Sequence, residues 1–60
     1  MRTITAKQAI EAEGWTHAVV YEEDGLRVHN FYKDQETAER VAKCINEFFE
    51  HDWFEPVRIE

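Results

Sequence analysis

Thirteen Asp and Glu against seven Lys and Arg give this 60-residue chain a formal net charge of -6, which repels phosphate backbones and anionic lipid surfaces and argues against direct binding to either. A chain this short buries only about 60% of its unfolded surface, which predicts a single domain spanning residues 1–60 with a small core, and not an enzyme with a deep cleft. Four Phe, two Trp and two Tyr within a 43% hydrophobic composition are nevertheless too many for a disordered tail.

The start, "MRTITAKQAIEAEG", has no apolar signal-peptide core, and the longest apolar run, "AVVY", falls far short of the roughly 20 residues of a membrane span. A soluble, cytoplasmic protein is expected. Within that start, Thr5 with Gln8 fits a capping box, Ile4 and Ala9 sit at staple positions, and Gly14 suits a left-handed helix end. A short helix over about Ala6 to Glu13 is predicted, its apolar positions mostly alanine.

Two β-branched and aromatic runs follow, "WTHAVVYE" and "LRVHNFYK", separated by "EDG", which predicts a hairpin with strands at about 15–22 and 26–33. A two-residue Asp24-Gly25 turn and a three-residue turn with a left-handed Gly25 are both compatible, and they differ by one residue in register. Strict alternation places Ala18, Val20, Leu26, Val28 and Tyr32 toward the core. His17, Val19, Tyr21, His29 and Phe31 then occupy the other face.

Asp34 is the expected N-cap of a long helix, "QETAERVAKCINEFFEH", whose Ala38, Val41, Ala42, Ile45 and Phe49 recur on one stripe. Phe49 is expected to pack inside, Cys44 to be a small buried hydrophobe beside the stripe, and Glu36–Arg40 and Glu39–Lys43 to pair along the outer face. In "FEPVRIE", Val57 and Ile59 alternate with Arg58 and Glu60, and Pro56 suits a strand start or an edge. The order αββαβ predicts a small two-layer α+β domain, an antiparallel hairpin plus a short edge strand packed on helices.

Catalytic and metal chemistry find little support. His17, His29, His51 and Cys44 lack any paired ligand spacing. Cys44 lies mid-helix in an acidic domain, where no positive field would generate a thiolate, and as the only cysteine it cannot close an intramolecular disulfide, which fits a reducing compartment. No cofactor, metal or catalytic residue is assigned.

Charge placement carries the functional expectation. Glu47, Glu50, Asp52 and Glu55 surround the helix end without a Lys or Arg between Cys44 and Val57, although the negative end of the helix macrodipole disfavours acids there. Glu22, Glu23 and Asp24 form a second acidic cluster at the hairpin tip. Carboxylates spaced by about 4.5 Å along a helix or 6.6 Å along a strand approximate phosphate intervals, and Trp53, with Phe54 and Phe48, would add apolar anchors.

The stretch "FYKDQETAERVAKCINE", with its preceding strand, resembles the small three-stranded arm-binding domains of phage integrases over about half the chain. Those domains bind DNA through basic strands, whereas this hairpin offers Arg27 and Lys33 against Glu22, Glu23 and Asp24. In size, charge and the acidic stretches "EED" and "EFFEHDWFE" interleaved with aromatics, the whole chain resembles the small acidic inhibitors encoded by phages, including anti-CRISPR proteins and other nucleic-acid mimics. That resemblance implies a monomeric or weakly dimeric inhibitor in the host cytoplasm, whose partner is a protein with a basic nucleic-acid-binding groove, such as a CRISPR-Cas effector. Glu22, Glu23, Asp24, Glu47, Glu50, Asp52, Trp53 and Glu55 are the expected contact residues. The alternative is a small interaction module of a bacterial or phage complex, which docks through a sheet face bearing His17, Tyr21, His29 and Phe31 and carries its acids only for solubility.

Overall fold

The computed structural model describes residues 1–5 and 14–60. Their elements are β1 (Thr3–Ile4), β2 (His17–Glu22), β3 (Leu26–Tyr32), α1 (Gln35–Phe49) and β4 (Glu55–Ile59). The strands form one mixed sheet in the order β1-β4-β2-β3, and the class is α+β as expected. The predicted helix over Ala6 to Glu13 lies outside the described residues. Strand β1 was not anticipated, being too short to leave an alternating pattern.

The Val-rich segment "HAVVYE" makes β2 the inner strand, antiparallel to β3 on one side and to β4 on the other. Ala18, Val19 and Val20 are all buried. Because neighbouring strand residues point to opposite faces, both faces of β2 are covered. On one face Val19 packs with Ala38 and Ala42 of α1, bordered by Tyr32, Val41 and Phe54. On the other, Ala18 and Val20 pack with Val57, bordered by Ile4, Val28, Phe31 and Ile59.

This arrangement corrects the expected facing of the hairpin. Glu22 pairs with Leu26, so Glu23, Asp24 and Gly25 form a three-residue turn, in which Asp24 and Gly25 both take positive φ, 53° and 101°. Val20 pairs with Val28 but Val19 pairs with Asn30, which leaves His29 as an extra residue in β3. The bulge reverses alternation beyond it. Leu26 and Val28 therefore share the Val20 face as expected, whereas Phe31 joins the Ala18 cluster and Tyr32 turns to the helix side, the opposite of strict alternation. The exposed sheet face of His17, Tyr21, His29 and Phe31 does not exist as a unit.

The expected edge strand is also corrected, since β4 lies inside the sheet between β2 and parallel β1. Pro56 is tolerated there because of its parity. The Arg58 amide donates to Arg2 on the β1 side, and the Ile59 amide donates to Thr16 on the β2 side. Two residues before Arg58, the Pro56 nitrogen faces the β1 side, ahead of the pairing of Thr3 with Arg58, and so no ladder bond of β1 is lost.

Asp34 caps α1 in extended conformation, its carboxylate accepting the Thr37 amide at 2.7 Å and the Thr37 hydroxyl at 2.9 Å. Arg40 reaches back to Glu36 at 2.9 Å, one of the two expected pairs, whereas Glu39 and Lys43 are not among the ion pairs of the described residues. Ala38 and Ala42 are buried against the sheet. Cys44, about 200° around the helix from Ala42 at 100° per residue, is exposed and not the buried hydrophobe expected. Phe49 is likewise corrected, with 51% of its surface exposed.

The helix ends at Phe49 because Glu50 takes the left-handed conformation, φ 57° and ψ 39°, its amide donating to the Asn46 and Glu47 carbonyls. A residue with a Cβ is strained there. Glu50→Gly is expected to raise stability by about 1 kcal/mol, read by urea unfolding, with Glu50→Gln recovering only the smaller electrostatic part.

The Asp34 carboxyl is held below its ordinary pKa chiefly by the Thr37 amide and then by the Thr37 hydroxyl, against an opposing desolvation and with lesser attractions from His17 and Arg40. A folded pKa that is depressed gives stability present above the unfolded pKa and lost as pH falls through the folded value. Thermal midpoints measured down through the carboxylate range should therefore fall more steeply in the wild type than in Asp34→Asn.

Candidate protein-binding site

Helix α1 starts beside the open end of the hairpin, after β3, and carries the chain back to the hairpin tip, where residues 50–54 lead into β4. That connection is fixed by one side chain. The Asn46 amide donates to the Phe54 carbonyl at 2.8 Å and accepts the Phe54 amide at 2.9 Å, in a half-buried setting. Both backbone groups of Phe54 are thereby tied to the last turns of α1, which sets the ring against the sheet.

Phe54 is the hub of an aromatic group. Tyr21 lies 5.2 Å from it, tilted by 46°; His29 meets it edge-on at 5.5 Å; and Phe49 lies near-parallel at 6.5 Å. Three different features supply these rings: β2, the β3 bulge and the helix end. They line a hollow of about 280 Å³ together with Glu23 and Trp53. A contiguous hollow of about 310 Å³ shares Tyr21, Glu23, Trp53 and Phe54 and adds Glu22.

Trp53 is 62% exposed, with its indole stacked on His51 at 3.8 Å and 8°. The imidazole covers one face of an indole that is part of the groove's lining. Phe48, 80% exposed, stands edge-on to Phe49 at 5.0 Å and extends the apolar surface along the helix end. Large rings left in water on so small a chain mark a contact surface more often than a defect.

The expected contact residues separate into three groups. Glu22, Glu23 and Trp53 come together in the walls of the groove, with Asp24 exposed at the adjoining tip. Glu47, Glu50 and Asp52 are exposed on the helix end and the connection that carries Trp53, but do not line the hollow. Glu55 stands apart: its register partner Val20 places it on the sheet face away from α1, and it pairs with Arg2 at 3.5 Å. Tyr21, His29, Phe49 and Phe54 are groove residues that sequence reading did not assemble, since the bulge that brings His29 to Phe54 leaves no Gly or Pro signal.

A larger hollow of about 480 Å³ lies between α1 and β4, lined among others by Glu39, Arg40, Lys43 and Pro56. Its mixed charges offset one another and single out no ligand. Among the described residues no three His, Cys, Asp or Glu side chains gather as metal ligands, and no helix is long and apolar enough to cross a membrane. No protein-family model, curated protein or solved structure matches the chain.

Asn46→Ala removes both bonds to Phe54 and leaves two half-buried backbone groups unpaired. A loss of about 2 kcal/mol is expected by denaturant unfolding, together with a change in the near-ultraviolet signal of Trp53 and Phe54 in the folded state.

Proposed function

We propose that this chain is a non-catalytic, acidic inhibitor that seats its hairpin tip and helix end in the cationic, nucleic-acid-binding groove of a protein, with carboxylates taking the places of phosphates. The observation that supports this reading is the convergence of the two acidic clusters on one end of the molecule, with the aromatic groove between them. Glu22, Glu23 and Asp24 stand at the hairpin tip, and Glu47, Glu50 and Asp52 are exposed on the helix end and on the connection that carries Trp53. Like charges collected on one end of a small domain repel one another, so the arrangement is favourable chiefly against a positive partner.

The partner class is a nucleic-acid-handling complex with a basic channel, of which an RNA-guided effector is one example. Carboxylates would steer association and set register, while Trp53, Phe49 and Phe48 would supply the desolvated contacts that slow release. A reducing cytoplasm suits the exposed Cys44 thiol. A second reading, an interaction module whose acids only keep it soluble, draws on the exposure of Phe48 and Phe49, and the same experiment separates the two.

The immobilised protein is incubated with lysate at low and high salt, and the bound fraction is challenged with duplex DNA. Nucleic-acid-binding proteins displaced by the duplex are the expected result. Glu47→Lys with Glu50→Lys should weaken retention at least about tenfold, roughly 1.4 kcal/mol, mainly through slower association at low salt. Retention that resists both salt and duplex, and that survives the double reversal, would overturn mimicry in favour of the module.

A further inference from the structure

We infer that the hollow bounded by Tyr21, His29, Phe49, Trp53 and Phe54 is a receptor for a single arginine side chain of the protein partner. The inference deepens the proposed function and rests on it for the partner's identity, but the hollow can be tested alone. Its volume of about 280 Å³ accommodates one long side chain.

The walls match a guanidinium in two respects. Aromatic faces carry negative charge density that attracts a cation, most favourably at Trp, and a planar guanidinium also stacks on them. Tyr21, Phe49 and Phe54 offer ring faces at different angles, with Trp53 at the rim. Acidic residues add the second element, Glu23 among the lining of this hollow and Glu22 with it in the contiguous one. A fork of N–H donors could lie on the rings while its edge reaches a carboxylate.

The chain's own cations leave the place open. Arg27, opposite Tyr21 in the hairpin, donates through Nε to the Glu23 carbonyl at 2.9 Å and is not among the lining side chains. Lys33 lies over the Trp15 ring at 5.1 Å, a cation on an aromatic face elsewhere in the same fold. Neutral apolar occupants fit less well, because they would leave Glu22 and Glu23 beside a dry contact without a counter-charge. A phosphate or nucleotide is opposed by the same carboxylates.

The test uses Nα-acetyl-arginine amide and its neutral isostere Nα-acetyl-citrulline amide, titrated into the full chain while the Trp53 indole N–H and the Tyr21 and Phe54 ring resonances are followed by NMR. Arginine amide should shift these resonances with a millimolar dissociation constant, about tenfold tighter than citrulline amide. It should also bind more tightly than the corresponding lysine amide. Trp53→Ala and Glu23→Gln, both at exposed positions, should each weaken the arginine response while the remaining amide spectrum stays native.

Equal responses to arginine and citrulline would overturn the inference, as would preference for lysine or an absence of shifts at these rings up to about 50 mM. Arginine binding without capture of nucleic-acid-binding proteins would sustain the receptor and reject the inhibitor. Capture without arginine binding would do the reverse.

Discussion

Three consecutive buried residues, Ala18, Val19 and Val20, place a demand on everything around them. A strand buried on alternate residues needs one covering layer, whereas a strand buried at every position needs two. Helix α1 answers on the Val19 side with Ala38 and Ala42, whose small side chains let the helix lie close to the sheet. On the other face Ala18 and Val20 pack side by side with Val57 of the neighbouring strand, so the buried apolar surface there continues onto β4, which sits beside β2 inside the sheet. Once β4 is there, α1 has to cross the sheet from the end of β3, and the residues after it must arrive at the hairpin tip. The groove is thus a by-product of placing β4 beside β2 with α1 lying over the sheet.

Periodicity made the hairpin and the long helix legible, because each has its own local signal: "EDG" between β-rich runs, and Asp34 ahead of a 3.6-residue apolar repeat. The tertiary role of each element was less legible. The apolar run "AVV" reads equally as alternation with a tolerated extra valine, which points Ala18 and Val20 at the core, whereas α1 packs on the Val19 face. The His29 bulge carries no local signature, yet it decides where Phe31 and Tyr32 point. Pro56 suggests an edge until the hydrogen-bond parity is known.

The site was legible in its acids and hidden in its rings. Glu22, Glu23 and Trp53 stand out in sequence because charge runs and an isolated Trp are visible one residue at a time. Their meeting depends on Asn46, a polar residue near a helix end that looks unremarkable until its amide is seen holding both backbone groups of Phe54. Glu55 misled for the converse reason. Adjacent in sequence to the other acids, it begins a strand, and its parity there sends it to the opposite face and to Arg2.

A chain of 60 residues limited by its small core would be expected to bury its rings, since each contributes more apolar area than a valine. This chain does so only in part: Phe31, Tyr32 and Phe54 pack against the core, whereas Phe48, Phe49 and Trp53 stand in solvent. The buried residues among those described are Ala18, Val19, Val20, Ala38, Ala42 and Val57, and every aromatic side chain is at least partly open to solvent. The ion pairs among the described residues, Arg2–Glu55 and Arg40–Glu36, draw on none of the acids at the groove. Glu50 adds backbone strain at the same end. Hydrophobic area, charge and conformational strain that could each have favoured the isolated fold are concentrated instead where the hairpin tip meets the helix end. A second molecule that covers the rings and neutralises the carboxylates relieves two of the three at once.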